Sequence, residues 1–183
     1  MSKYRRWRVE GGTYFFTVVT YERRPILTTD LGRSCLRTAI DEIRGRHPFE
    51  IIACVLLPDH LHVVWQLPHG DVDYSTRWRQ IKTRFTQLFS QNAVRAPFPN
   101  ASRSKRHEHS IWQRRFYEHT VRDEADLKRC VDYIHINPVK HRLVSRVCDW
   151  EWSSFHRFVG EQEYDLDWGG SDEWFGDEFQ QWE

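Results

Sequence analysis

An α+β fold is predicted for this 183-residue chain by three features. Short runs of β-branched and aromatic residues are bounded by Gly or Pro, stretches with helical apolar spacing lie between them, and the two alternate in the order β-α-β-β-α-β-α. The first run, Gly11 to Tyr21, is a strand closed by Pro25. Asp30 to Arg46 sets Leu31, Cys35, Leu36, Ala39, Ile40 and Ile43 near helical spacing, with Asp30 available as its cap. Phe49–Leu57 and His60–Leu67 are two strands separated only by Pro58-Asp59, which makes them an antiparallel hairpin. Asp73 to Gln91 is a second helix, with Trp78, Ile81, Phe85, Leu88 and Phe89 on one side. Asn92 to Ser110 lacks periodicity and is expected to be a mobile loop. An irregular strand follows over Ile111–Val121, and a third helix from Asp123 to about Asn137 turns Leu127, Cys130, Val131 and Ile134 inward. This order matches a ferredoxin-like sandwich, an antiparallel sheet with helices on one face and the other face left for a ligand.

Nine Trp and 15% aromatic content argue for a compact, ring-rich protein. No apolar run is long enough to span a bilayer, and Met1 to Trp7 lacks the apolar core of a signal peptide, so the expectation is a cytoplasmic protein without membrane association. Cys35, Cys54, Cys130 and Cys148 form no CxxC pair and read as core residues in a reducing compartment. The formal net charge of +1 hides a segregation. Ser75 to Tyr117 holds ten Lys or Arg against Glu108 alone, whereas Glu161 to Glu183 holds nine acidic residues and no Lys or Arg. A basic central body suits a polyanion, whereas the acidic tail reads first as a solvated face and, as a second reading, as a competitor of that partner.

Chemistry concentrates at His60-Leu61-His62. In a strand, alternate side chains share a face, so both imidazoles point one way while Leu61 enters the core. Two imidazoles can hold a divalent cation if a third donor joins them. Tyr133 and Asn137 lie one helical turn apart and project from the same face of the third helix. Asn137 has two readings: the third metal donor, or the N-cap of a new turn running from Pro138 to Leu143.

Pro58-Asp59-His60-Leu61-His62, Trp112 to Phe116, and Tyr133-Ile134-His135-Ile136-Asn137-Pro138-Val139-Lys140, together with Gly11 to Val18 and Tyr74 to Trp78, resemble the single-tyrosine HUH transposases, and among them the REP-associated tyrosine transposases. The resemblance runs from about Tyr4 to Phe158 and divides the chain into a domain over 1–158 and an acidic, aromatic tail over 159–183. It implies nicking and joining of single-stranded or hairpin DNA with Tyr133 as nucleophile, forming a 5′-phosphotyrosine and releasing a 3′-hydroxyl. The ion is Mg2+ or Mn2+ held by His60 and His62, and by Asn137 where many relatives carry glutamine. Covalent capture conserves the phosphodiester energy, so no nucleotide cofactor is called for. Relatives in the wider superfamily work as dimers, but nothing in the chain marks a self-complementary interface, and a monomer is the expectation.

DNA contacts are assigned by charge to Arg77, Arg79, Lys82 and Arg84 on the second helix, to Arg114, Arg115 and Lys140, and to Arg5, Arg6 and Arg8 in the N-terminal arm. Two competing functions stand beside this one. A regulator of the same fold would bind hairpins without cutting them. A zinc hydrolase would use His60 and His62 to activate water and would be indifferent to Tyr133→Phe.

Overall fold

The computed structural model describes residues 8–92 and 111–170. Its centre is a four-stranded antiparallel sheet of β1 (Thr13–Val19), β2 (Glu50–Leu56), β3 (His60–Gln66) and β4 (Tyr117–Thr120), in the order β2-β3-β1-β4. The helices are α1 (Asp30–Arg46), α2 (Tyr74–Asn92), α3 (Glu124–Lys140) and α4 (Phe155–Gly160). The α+β class and the antiparallel sheet follow the sequence pattern. α1 starts one residue differently: Thr29, not Asp30, is its cap, and its side chain accepts the Gly32 N–H.

Strand alternation sorts the core into two layers. Tyr14, Phe16 and Val18 of β1 and Leu61, Val63 and Trp65 of β3 face α1 and α2, where Trp65 stacks on Trp78 with ring centroids 4.2 Å apart. Phe15 and Val64 face the opposite way, with Ala53 and Val55 of β2. The expected sandwich kept its helices on one face; instead, α3 covers this second face through Cys130, Val131, Tyr133 and Ile134. The physical reason is apolar area: a sheet with large side chains on both sides needs a cover on both.

The segment after α3 packs on its outer side. Ser153 bridges Val55 at the β2 edge, and Phe155, Tyr164 and Trp168 close around His135. Gly169 ends this wrap in a left-handed turn (φ +82°), where a Cβ would lie 2.9 Å from the Ile136 side chain. The expected loop over 92–110, except Asn92, lies outside the described residues, as do the tail beyond 170 and Arg5 and Arg6.

Candidate functional site

Sheet register fixes the imidazoles. β3 pairs with β1 so that His60 lies opposite Val19 and His62 opposite Thr17. Both rings point toward α3, and Leu61 enters the α1/α2 core. Each ring is oriented through its Nδ1: that of His60 lies 2.6 Å from Asp59 Oδ1, and that of His62 lies 2.9 Å from Thr17 Oγ1. The Asp59 carboxylate accepts, so the His60 Nδ1 carries the proton and its Nε2 keeps a lone pair. Both Nε2 atoms are buried and lack a protein hydrogen-bond partner, and the ring centroids are 4.9 Å apart. Burial, and then electrostatic repulsion from the neighbouring His60, His141 and Lys140 were His62 to take a proton, holds His62 well below the usual imidazole range, so its ring is neutral and fit to donate electrons.

The tyrosine comes from α3. The Asp123 side chain caps this helix by accepting the Asp126 N–H at 2.8 Å. The helix then runs without a break through Pro138 to Lys140, with His141 as its C-cap. Asn137 is therefore no N-cap; its carbonyl accepts the His141 N–H inside a continuous helix. One turn apart, the fully buried Tyr133 and Asn137 both meet the sheet at the imidazoles. The Tyr133 ring sits edge-on to His62, centroids 5.1 Å apart, and against Phe15. The Asn137 amide is close enough to His62 to favour its protonated form, although neither amide atom makes a well-formed hydrogen bond. His141 places its ring 5.0 Å from that of His60, and Lys140 holds its Nζ 5.0 Å from the Tyr133 ring centroid.

The basic candidates divide by environment. Arg79, Arg114 and Arg115 are exposed, as is Arg8, whose guanidinium lies 6.0 Å from the Tyr74 ring centroid. The segment carrying Arg114 and Arg115 begins beside the end of β1, where the Gln113 N–H donates to Val19, the strand partner of His60. Arg77 does not belong to this group. It is 3% exposed and donates to Asp71 and to the carbonyls of His47, Pro48 and Asp73, so its charge ties the α1–β2 connection to the start of α2. Arg84 is paired with Glu42 through two bonds of 2.7 and 2.8 Å. Lys82 donates to the Gln113 carbonyl, and burial pushes its ammonium down to about 8.

Thr17 was missed at the level of sequence. Alternation alone puts it on the ligand face, but its partnership with His62 depends on a register between strands 45 residues apart. A second cluster, His119, Asp126 and Cys130, brings three donor atoms within 4.8 Å. It is an ion-paired anchor for α3. Asp126 accepts from His119, Arg122 and Arg129, and burial pushes the Cys130 thiol up to about 12, so it stays protonated and a poor ligand.

A buried tyrosine thus meets a pair of buried imidazoles at the seam between an antiparallel sheet and a crossing helix. Residues 8–137 match the family described as transposase IS200 like. Over 171 residues the chain is 45% identical to the REP-associated tyrosine transposase of Escherichia coli K12, covering 93% of this chain and 92% of that protein. It is 44% identical over 171 residues to a putative REP-associated tyrosine transposase of Haemophilus influenzae Rd, covering 93% and 95%. A solved structure of a REP-associated tyrosine transposase bound to a REP hairpin superposes with a TM-score of 0.77 at 44% identity, covering 93% of both chains. The protein belongs to the IS200-like transposases, a class that nicks and joins DNA, and within them to the REP-associated tyrosine transposases. Among the described residues, no helix is long and apolar enough to cross a membrane.

Proposed function

We propose that the protein cuts and rejoins single-stranded DNA beside a hairpin-forming repeat, through a 5′-phosphotyrosine on Tyr133. The observation that carries this reading is the pair of buried, unpartnered Nε2 atoms on His60 and His62 beside the Tyr133 ring. Burying such atoms without a partner costs free energy, and a ligand in the same space offsets that cost. Their donor chemistry fits a divalent cation, with the Asn137 amide as a third donor; imidazoles alone would also take Zn2+, and the amide oxygen, joined by phosphate oxygens of the substrate, turns the set toward Mg2+ or Mn2+. When bound, such an ion polarises the scissile phosphate and offsets the charge that builds on it.

The residues themselves divide the work. The Tyr133 oxygen attacks phosphorus, the phenol gives up its proton, and the bond to the 3′-oxygen breaks as that oxygen takes up a proton. Attack by a 3′-hydroxyl on the phosphotyrosine reverses the step, with one phosphodiester conserved throughout. Lys140, beside the tyrosine ring, is placed to offset the charge developing during attack. Arg79, Arg114, Arg115 and Arg8 supply exposed charge for the flanking backbone. The repeat hairpin bound by the structural relative is the motivated substrate. Incubation of the full chain with 5′- and 3′-labelled hairpin DNA and Mn2+ tests the reading. Wild type is expected to form a denaturant-resistant protein–DNA adduct carrying the 5′-phosphate side, and Tyr133→Phe to bind the hairpin without forming one. An adduct in Tyr133→Phe would overturn the assignment.

A further inference from the structure

The turn that follows β1 is strained, and its strain has a destination. Glu22 (φ 56°, ψ 27°) and Arg23 (φ 48°) both adopt left-handed backbone, a region costly for side-chain-bearing residues and rare for two in succession. Surrounding contacts hold the turn in place. The Thr20 N–H and hydroxyl both donate to the Asp59 carbonyl at 2.8 Å, and Arg24 draws the Glu22 carboxylate to itself at 3.1 Å. Arg23 is thereby delivered to Asp59, with Nη1 3.2 Å from Oδ2. The other Asp59 oxygen, Oδ1, is the one that accepts from His60 Nδ1. Exposure falls along this series from 48% at Arg23 through 19% at Asp59 to 2% at His60, a path from solvent to the imidazole.

We infer that Arg23 is a positioning residue for the cation site: by holding the Asp59 carboxylate, it sets the rotamer and tautomer of His60 so that Nε2 faces His62. This inference rests on His60 and His62 being the metal donors, as proposed above. A carboxylate held on one side only can swing, and the ring it orients swings with it; outer contacts of this sort tune metal affinity by about 10- to 100-fold. The Arg23 contact uses a single nitrogen, so one ammonium can replace it, whereas a neutral amide cannot restore the charge.

The experiment measures Mn2+ binding to the full chain by electron paramagnetic resonance, without DNA, for wild type, Arg23→Gln, Arg23→Lys and His60→Ala, with the melting temperature of each metal-free protein recorded. Arg23→Gln is expected to weaken Mn2+ binding about 10-fold while its melting temperature stays near wild type, because Arg23 is half exposed and a pair with one solvated partner adds little to stability. Arg23→Lys is expected to recover most of the loss. An Mn2+ affinity of Arg23→Gln within about twofold of wild type, alongside loss of binding in His60→Ala, overturns the positioning role and leaves the metal donors standing. Wild-type Mn2+ affinity in His60→Ala overturns the donor assignment, and this inference with it.

Discussion

Thr17 and His62 face each other across β1 and β3, with Oγ1 2.9 Å from Nδ1, and this contact turns the His62 Nε2 toward the space shared with His60 and Tyr133. Thr17→Val keeps the shape and removes the hydroxyl. The His62 Nδ1 is then buried without a partner, at a cost of about 1–3 kcal/mol. Mn2+ affinity is expected to fall about 10-fold or more as the ring loses its orientation, as isothermal titration would show. Unchanged affinity and urea midpoint would mean that Thr17 contributes only bulk.

Arg77 and Arg79 are two residues apart and are expected to fail in opposite ways. Arg77→Ala removes a buried guanidinium from the Asp71 carboxylate and from the carbonyls of His47, Pro48 and Asp73, and is expected to cost roughly 3 kcal/mol of folding stability, read from urea denaturation. Arg79→Ala, at an exposed position, is expected to leave stability within about 0.5 kcal/mol and to lower the salt dependence of hairpin binding by about one ion.

His135 makes the metal-free protein acid-sensitive. Burial among Phe155, Phe158, Tyr164 and Trp168, and then the charges of Arg157 and His156, push its imidazole down to about 3. An unfolded imidazole titrates near 6.5, so below about that pH the unfolded chain binds a proton that the folded protein refuses. Stability present above about pH 6.5 is therefore lost as pH falls toward 3, at up to about 1.4 kcal/mol per pH unit for each such group. His62 adds to the loss in the same direction. Urea midpoints of His135→Gln between pH 6.5 and 4.5 are expected to show roughly half the wild-type slope; an identical slope would place the proton elsewhere.

Asp132 neighbours Tyr133 but faces the other side of α3, where the Tyr164 hydroxyl donates to it and Lys128 lies 3.1 Å away. Tyr164→Phe leaves that buried carboxylate with the exposed Lys128 alone, at a cost of about 1.5–3 kcal/mol. Amide hydrogen exchange along Glu124–Lys140 is expected to accelerate, while β1 and β3 keep their protection.

The site was legible where local periodicity decides it. A period of two puts His60 and His62 on one face, and a single turn joins Tyr133 to Asn137. Their convergence depends on where α3 docks, which no periodicity of α3 itself states. Every residue from Cys130 to Pro138 is buried, because the sheet covers one side and Phe155, Phe158 and Tyr164 the other. The inward stripe of Leu127, Cys130, Val131 and Ile134 accounts for only the first cover. Arg77 shows the opposite failure. A basic residue on an amphipathic helix reads as solvent-facing until Asp71 and three main-chain carbonyls are seen to surround it.

The crossing of α3 over β3 also has a temporal meaning. The imidazoles emerge early in synthesis and the phenol more than seventy residues later, so under the proposed function an unfinished or clipped polypeptide ending ahead of Glu124 would carry two of the proposed cation donors and lack both Asn137 and the proposed nucleophile. On that reading, strand breakage awaits the layer that α3 adds to the sheet.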